Sequence, residues 1–597
     1  MSEIPFAAFV SARRAWGPAL SPDGRSVAYI SDLTGYPEAM LHQGVGRDPL
    51  ALTEFRERVG HIQWTPDGRW IVLDSDVGGG EQWAVRAARP DGKAHRPISH
   101  DTSVMHLMGR VSADSRWLSM SSNARDAALF DLGIVDLETD QFRVLLEGDL
   151  SQFPGDLSPD GRRVLAERFF GSFRQDLVLV ETGSRRTSEL TPVGANVRHL
   201  GATFEPDGDS ILVGSDLDRD FMGIARIRLE DRGREWVVDG DERGRDVDEF
   251  ALSRDGGTLL FVENDRGWSR LSRLDTASGR ITPFEHPDGV ITGLSLSTDA
   301  TRAAFSLTSP MKPPEVYTAD VGSGEVECAT CSPHEGLDLG ELVMPEEVRF
   351  PSFDGTEIPG WLYIPPGHSG PRPTVVKVHG GPESQARPIY DPGVQYLVSR
   401  GYAVYEPNVR GSTGYGRRFA ALDDGPLRFD AVKDLAAAAE FLKASDRVDG
   451  DCLALMGGSY GGFMALAGLA FFPDLWCAGV DIVGIANFRT FLANTGPYRR
   501  KWRIAEYGDP AVDGEFLDGI SPVNHADRIR APLLRIQGAN DPRVPTDEAE
   551  QIVTAIRERG GTAEYLLFPD EGHGVVKLPN RLKAYEAITE FLAAHMA

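Results

Sequence analysis

The sequence predicts two domains of different class, a seven-bladed β-propeller over residues 1–335 and a doubly wound, mostly parallel α/β sheet over residues 336–597. Three observations support this division. The chain has 597 residues, which is too long for a single hydrophobic core. A short unit of turn and strand recurs through the first half, whereas strands alternate with helices in the second half.

The recurring unit is a tight turn followed by an alternating or apolar strand, as in SPDGRSVAYISD from Ser21. Its turn aspartates are Asp23, Asp67, Asp114, Asp160, Asp207, Asp255 and Asp299. Proline, aspartate and glycine are the residues that such turns favour. A period in the forties with strands in every unit is typical of propeller blades, which we expect from about residue 7. A solenoid or a sandwich fits less well, because helical periodicity is absent and sandwich strands do not recur so regularly.

After Pro333 the repeat stops, and two strands are predicted around an Asp354-Gly355 turn. The further predicted strands are Thr374–Val378, Tyr402–Glu406, Cys452–Met456, Gly479–Ile482, Leu533–Gln537 and Glu564–Phe568. The predicted helices are Phe429–Ala444, Gly461–Phe472, Thr546–Arg559 and Asn580–His595. This alternation predicts a parallel sheet, in which functional sites lie at the carboxyl ends of the strands.

A G-x-S-x-G pattern places Ser459 between a predicted strand and a predicted helix. That context is the one a nucleophile elbow of the α/β-hydrolase fold requires. Asp541 and His573 each follow a predicted strand, in the chain order serine, acid, histidine that this fold uses. The three residues therefore predict a catalytic triad, in which His573 takes the proton of Ser459 and Asp541 orients the imidazole.

A tetrahedral intermediate needs backbone donors for its oxyanion. The N–H of Tyr460, which follows the nucleophile, is predicted to be one donor. The second is expected from the loop His379-Gly380-Gly381-Pro382, which follows the predicted strand Thr374–Val378.

Five motifs of the second half together resemble the prolyl oligopeptidase family of serine peptidases, and its acylaminoacyl-peptidase branch most of all. They are HGGP (His379–Pro382), NVRGSTGYG (Asn408–Gly416), GGSYGG (Gly457–Gly462), NDPRVP (Asn540–Pro545) and EGHG (Glu571–Gly574). With the propeller, the resemblance covers nearly the whole chain.

The resemblance implies a peptidase that acts on short peptides, with the propeller excluding folded proteins. It implies that the Gly381 N–H is the second oxyanion donor and that Arg543 binds a backbone carbonyl of the substrate. A dipeptidyl or aminopeptidase of the same family, or an esterase or small-amide hydrolase on the same scaffold, remains an alternative.

One residue departs from the prolyl oligopeptidase and dipeptidyl peptidase branches, which resemble each other in placing a tyrosine hydroxyl in the oxyanion hole. This chain has His379 there, which favours the acylaminoacyl branch, and we expect His379 to orient the loop. The glutamate pair with which dipeptidyl peptidases hold a free amine is not identifiable in the sequence. Phe488, Phe491 and Trp502 are candidates for the specificity pocket, or are residues of the core.

The formal net charge of −27 argues against nucleic acid or an anionic membrane surface as a partner. No apolar stretch is long enough for a membrane span, and no secretory signal is visible, so a cytoplasmic protein is expected. Cys328 and Cys331 form a C-x-x-C without a second ligand pair, so neither a metal nor another cofactor is expected. The resemblance to the prolyl oligopeptidase family also implies that an exposed strand edge of the α/β sheet can support a homo-oligomer.

Overall fold

The computed structural model describes residues 4–44, 47–367 and 370–596. Within them, contacts divide the chain into two compact units. The first comprises Arg13–Thr308 and Pro314–Ser332; the second comprises residues 4–12, Ser309–Pro313 and residues 333–596. The expected boundary after residue 335 lies close to this division, but residues 4–12 belong to the second unit rather than to the propeller.

The reason is a short N-terminal helix, α1 (Phe6–Ser11), that the sequence reading did not foresee. Phe6 stacks on Tyr585 at a centroid distance of 4.2 Å and contacts Tyr396. The Tyr390 hydroxyl donates a hydrogen bond of 2.6 Å to the carbonyl of Phe9. Burial of these aromatic rings therefore ties the segment to the second unit.

The first unit consists of seven four-stranded antiparallel sheets, as predicted. Their strands are, blade by blade, β1 (Ala15–Leu20), β2 (Val27–Ser31), β3 (Glu38–His42), β4 (Leu50–Ala51); β5 (Arg58–Trp64), β6 (Ile71–Val77), β7 (Gln82–Ala88), β8 (His95–Pro97); β9 (His106–Val111), β10 (Trp117–Asp126), β11 (Leu129–Asp136), β12 (Gln141–Leu146); β13 (Ser151–Leu157), β14 (Arg163–Gly171), β15 (Arg174–Glu181), β16 (Thr187–Glu189); β17 (His199–Phe204), β18 (Ser210–Ser215), β19 (Gly223–Arg228), β20 (Arg234–Val238); β21 (Asp246–Leu252), β22 (Thr258–Asp265), β23 (Trp268–Asp275), β24 (Arg280–Pro283); and β25 (Val290–Leu296), β26 (Arg302–Ser309), β27 (Lys312–Asp320), β28 (Val326–Cys328). A short helix, α2 (Gly240–Arg243), precedes β21.

Each recurring turn joins the first and second strands of a blade, and its chemistry explains why the turn motif recurs. In the first blade the Ser21 hydroxyl donates to Asp23 at 2.6 Å, and Asp23 accepts the N–H of Arg25. The ring closes between the first and last blades, because the Gly17 N–H donates to the Ser306 hydroxyl and the Leu20 N–H to that of Ser295. Because the four strands of every blade are consecutive in the chain, each blade is built from one continuous segment.

The second unit is built on an eight-stranded sheet with the order β29-β30-β32-β31-β33-β34-β35-β36. The strands are β29 (Glu346–Pro351), β30 (Glu357–Tyr363), β31 (Arg372–Val378), β32 (Ala403–Pro407), β33 (Val448–Gly458), β34 (Ala478–Ile482), β35 (Leu533–Gly538) and β36 (Ala563–Phe568). The strands from β32 to β36 in this order pair in parallel, so their carboxyl ends meet at one edge.

The helices of this unit, in addition to α1, are α3 (Pro392–Ser399), α4 (Arg417–Ala420), α5 (Arg428–Lys443), α6 (Tyr460–Phe471), α7 (Phe488–Asn494), α8 (Pro497–Tyr507), α9 (Gly514–Ile520), α10 (Thr546–Glu558) and α11 (Leu578–His595). The four predicted helices correspond to α5, α6, α10 and α11. Helix α6 is almost wholly buried, as its apolar sequence predicts. Among the described helices, none is both long and apolar enough to cross a membrane.

Candidate active site

Ser459 stands in the sharp turn between β33 and α6, where its backbone has φ 58° and ψ −117°. A positive φ in a residue with a Cβ atom is strained, and such strain is typical of functional turns. The turn is held by the Ser459 N–H, which donates to the Ile482 carbonyl at 2.9 Å. Gly461 is required because a Cβ atom there would lie 2.1 Å from the Val378 carbonyl oxygen.

The three predicted catalytic side chains meet in one hydrogen-bonded row. The Ser459 Oγ lies 3.0 Å from His573 Nε2, and His573 Nδ1 lies 2.7 Å from Asp541 Oδ2. The Asp541 side chain is fully buried and that of His573 is 12% exposed. These distances allow the hydroxyl to donate to Nε2 when Nδ1–H donates to the carboxylate.

The other carboxylate oxygen of Asp541 is used by its own loop. Asp541 Oδ1 accepts the backbone N–H groups of Arg543 at 2.8 Å and Val544 at 3.0 Å. The carboxylate is therefore fixed by the turn that follows it, and only Oδ2 remains directed at His573. The same turn carries Arg543, the predicted substrate-binding residue, on the carboxyl side of β35.

The loop after β31 passes beside Ser459, as expected for an oxyanion loop. A Cβ atom on Gly380 would lie 3.6 Å from Ser459 Cβ, and Gly381 has φ 136°, which only glycine adopts readily. Tyr460 is the first residue of α6, so its N–H has no acceptor within the helix. The loop that carries the predicted donor Gly381 thus approaches Ser459 through Gly380, and the predicted donor Tyr460 follows Ser459 directly in the chain.

His379 has a structural place in this loop. Its Nδ1 lies 2.8 Å from the Gly380 carbonyl oxygen and its Nε2 lies 2.9 Å from Ser412 Oγ. Burial lowers the pKa of the imidazole, which favours the neutral ring. Both ring nitrogens are engaged with protein atoms, in keeping with the expectation that His379 orients the loop.

Two of the three candidate pocket residues lie in the core. Phe488 is 0% exposed and Phe491 is 2% exposed, and Phe488 packs edge-on against Phe463 at 4.9 Å. The suggestion that these two phenylalanines line a substrate pocket is therefore wrong for this structure, since they have almost no surface to offer. Trp502, on α8, is partly exposed beside Tyr498 and remains a candidate.

A buried ionic cluster that the sequence does not predict lies beside Tyr460, the residue after Ser459. Arg428 is fully buried and contacts both Asp423 and Glu506, and the Tyr460 hydroxyl lies 3.2 Å from Asp423 Oδ2. Oxygens of Asp423, Asp424 and Glu506 lie within 4.8 Å of one another, as metal ligands do. The guanidinium of Arg428 supplies positive charge to this cluster, and the Asp423 carboxylate that it contacts also faces the Tyr460 hydroxyl.

The segment that precedes α7 is anchored by another buried carboxyl. Glu548, on α10, accepts the backbone N–H groups of Ala486 at 3.0 Å and Asn487 at 2.7 Å, and contacts the Thr490 hydroxyl. Burial raises the pKa of Glu548 to about 7. This carboxyl therefore holds its proton in the folded chain at a pH where the unfolded chain has lost it.

We compare the melting temperature of Glu548→Gln with that of the native chain at each pH. The difference, variant minus native, is expected to increase from pH 5 to pH 8. Because the folded pKa lies above the unfolded value, the native chain loses stability as the pH rises through this window, by about 3 kcal/mol at most. The amide keeps an acceptor for the two N–H groups and a donor for Thr490, and it does not ionise. Thermal unfolding across this pH range checks the prediction.

Glu550→Gln, at an exposed position of the same helix, is the matched control. It should leave the pH dependence of the melting temperature unchanged. A melting-temperature difference between Glu548→Gln and the native chain that is the same at pH 5 and pH 8 would contradict the assignment.

Comparisons with known proteins agree with this geometry. Residues 389–597 match the model of the prolyl oligopeptidase family. The chain is 43% identical to dipeptidyl aminopeptidase BIII of Pseudoxanthomonas mexicana, over 89% of this chain and 86% of that protein. It is 25% identical to the acylamino-acid-releasing enzyme of Homo sapiens, over 58% of this chain and 49% of that enzyme.

Solved structures share the fold. A puromycin-hydrolyzing peptidase of Mycobacterium tuberculosis superposes with a TM-score of 0.87 at 21% identity, covering 100% of this chain and 97% of the other. An identity of 43% along most of both sequences, together with the family match over residues 389–597, indicates common ancestry within one family and not only a shared fold. The chain therefore belongs to the prolyl oligopeptidase family and is a serine peptidase.

Proposed function

We propose that this peptidase removes N-terminal dipeptides from short peptides through an acyl-enzyme formed on Ser459. The observation that carries the chemistry is the row of Ser459, His573 and Asp541, with contacts of 3.0 and 2.7 Å. No metal or organic cofactor is needed for acyl transfer by such a row.

In the acylation step, His573 Nε2 takes the proton of Ser459 as Oγ attacks the carbonyl carbon of the scissile bond. The imidazolium that forms is stabilised by Asp541 and then gives its proton to the leaving amine. A water molecule activated by the same imidazole hydrolyses the ester in the second half of the reaction. In both halves the negative oxygen is held by the N–H groups of Gly381 and Tyr460.

The dipeptidyl assignment rests on the extent of the similarity. Dipeptidyl aminopeptidase BIII is 43% identical across 89% of this chain, whereas the human acylamino-acid-releasing enzyme is 25% identical across 58%. The first similarity includes the propeller, which the second covers only in part. Release of acylated amino acids is the second candidate, and the use of His379 where other branches place a tyrosine favours it.

The amino terminus of the substrate separates the two candidates. A dipeptidyl activity cleaves a dipeptide anilide with a free amine and spares its acetylated form, whereas an acylaminoacyl activity cleaves an acetyl-amino-acid anilide. Short-chain esters report the triad alone. Hydrolysis of esters with no cleavage of any anilide or peptide would overturn the peptidase assignment of the site.

We further propose that Arg543 binds a backbone carbonyl on the acyl side of the scissile bond, for which the fork of its guanidinium is suited. Arg543→Ala should then reduce kcat/KM for the anilide about 30-fold, or by about 2 kcal/mol of transition-state binding, and impair a small ester much less. Equal losses on both substrates would contradict a carbonyl-binding role.

A further inference from the structure

Two buried polar side chains stand on one face of β35, the strand that leads into the Asp541 turn. Arg535 and Gln537 are both 0% exposed, and their spacing of two residues places them on the same face of the strand. Burying a charged side chain costs desolvation free energy, which an opposite charge and hydrogen bonds must compensate. The partners of Arg535 therefore indicate what this arrangement is for.

Arg535 fixes the orientation of the Gln537 amide. Its guanidinium contacts Asp481 and donates from Nη2 to Gln537 Oε1 at 2.7 Å. Because arginine can only donate, the amide oxygen of Gln537 must face it and the amide nitrogen must point away. That nitrogen donates to the backbone carbonyls of Gly538 at 3.1 Å and Val544 at 3.0 Å.

At one end this chain of contacts reaches the nucleophile turn. Asp481 Oδ1 accepts the N–H of Gly484 at 2.9 Å. It also lies so close to the start of α6 that a Cβ atom on Gly462 would come within 2.3 Å of it. Asp481 thus packs directly behind the turn that presents Ser459.

At its other end the chain of contacts reaches the acid turn. The carbonyl of Val544 is bound by Gln537, and the N–H of the same residue donates to Asp541 Oδ1. The turn is held from its other side by the Thr495 hydroxyl, which donates to the Arg543 carbonyl at 2.8 Å. A movement of Val544 would therefore displace Asp541.

We propose that Gln537, oriented by the Arg535–Asp481 pair, is a positioning residue that sets the Asp541 turn against the nucleophile turn. The inference rests on the proposed roles of Asp541 and Arg543. Gln537 touches no reacting atom and acts through Val544. Its amide nitrogen is the only group of the described side chains shown to bind the Val544 carbonyl, so the effect of its loss should be concentrated in this turn.

The test is Gln537→Met, which removes the amide and adds no charge. We expect kcat/KM for the peptide substrate to fall about 100-fold, since a displacement of about 1 Å in a catalytic array has an effect of this size. The acid limb of the pH profile of kcat/KM should move to lower pH, because the imidazolium of His573 loses part of its stabilisation by Asp541. A purely structural role for Gln537 would lower the melting temperature without moving that limb.

Gln395→Met is the matched control. Gln395 is also buried in this unit, donates from Nε2 to the carbonyls of Pro310 and Val343 at 2.9 Å each, and accepts the N–H of Val343. Its loss removes the same kinds of hydrogen bond away from the active site. It should lower stability and leave the pH profile in place.

A second variant, Gln537→Glu, keeps an acceptor for Arg535, loses the donors to Gly538 and Val544, and turns a carboxylate oxygen towards those two carbonyls. It too should lose peptide hydrolysis, because the Val544 carbonyl is no longer bound. A profile for either variant that matches the Gln395 control would overturn the inference. Labelling of the native chain by a fluorophosphonate tests the proposed function independently of Gln537. If the native chain does not label stoichiometrically, the proposed function is wrong; if it labels, the variants test the role of Gln537 alone.

Discussion

Ser459→Ala is expected to lower kcat about 10⁶-fold while the chain remains folded, since loss of the nucleophile removes the function of the whole triad. Its Oγ is the atom that His573 Nε2 contacts, at 3.0 Å. Alanine keeps the Cβ atom, so the strained backbone at φ 58° is no less favourable than with serine. The prediction is checked by measuring kcat on one peptide substrate and the melting temperature for the variant and the native chain.

Fluorophosphonate labelling gives the complementary result. The native chain should label once, and Ser459→Ala should not label. Ser399→Ala, which removes an exposed hydroxyl from the end of α3, is the control and should behave like the native chain. If Ser459→Ala labels to the same extent as the native chain, the nucleophile is a different residue.

The sequence predicts most of the architecture because both halves rely on local signals. Six of the seven blade turns encode their conformation through a hydroxyl and an aspartate two residues apart, such as Ser21 and Asp23, and the fifth has Glu205 in place of the hydroxyl. Most strands of the second half contain a short apolar run close to turn residues, so their positions are recognisable without any knowledge of tertiary contacts. Their exact ends are not, since β33 begins at Val448, four residues before the predicted strand Cys452–Met456.

The meeting of three polar side chains at one edge of the sheet could be predicted for a related reason. Ser459, Asp541 and His573 each follow a strand of a parallel sheet, and topology alone brings such residues to one edge. The order of the strands does not have to be known for this argument. What the sequence does not predict is the precise contact, such as the two N–H groups of the following turn that hold Asp541 Oδ1.

The short helices of the second unit were not predicted, although signals for them exist. Asp391 caps the N-terminus of α3, whose first residue is Pro392, and Asn487 caps α7 in the same way. These helices are too short for a clear apolar period. Of the two alternatives for Phe488 and Phe491, pocket or core, the structure shows the core, and the sequence leaves them open because the burial of these side chains depends on tertiary packing.

Buried polar groups were the hardest features to foresee. Arg428 and Arg535 are both fully buried, yet arginine is usually exposed, so a sequence reading places such residues at the surface. Their partners, Asp423 and Asp481, lie on other elements. Long-range pairing of this kind leaves no local pattern, and it is where the structure adds most to the site.

Asp541→Asn is expected to lower kcat about 10⁴-fold with little change in fold, as loss of the carboxylate does in serine peptidases with such a triad. The surrounding hydrogen bonds give the reason. The N–H groups of Arg543 and Val544 need an acceptor at Oδ1, so the amide oxygen of the asparagine must occupy that position. Its NH₂ group then faces His573 Nδ1, which must accept, and the ring carries its proton on Nε2.

In that tautomer, His573 has no lone pair for the hydroxyl of Ser459, and proton transfer at neutral pH is lost. Because hydroxide can take the serine proton without the imidazole, the activity of the variant should rise with the hydroxide concentration in alkaline solution. Asp570→Asn, beside the same loop but bonded to Lys577 and Asn580 at the surface, is the matched control and should keep full activity. If Asp541→Asn keeps more than a tenth of the native activity at pH 7, the carboxylate does not set the tautomer of His573. Ser459 and His573 would then be sufficient for catalysis without Asp541.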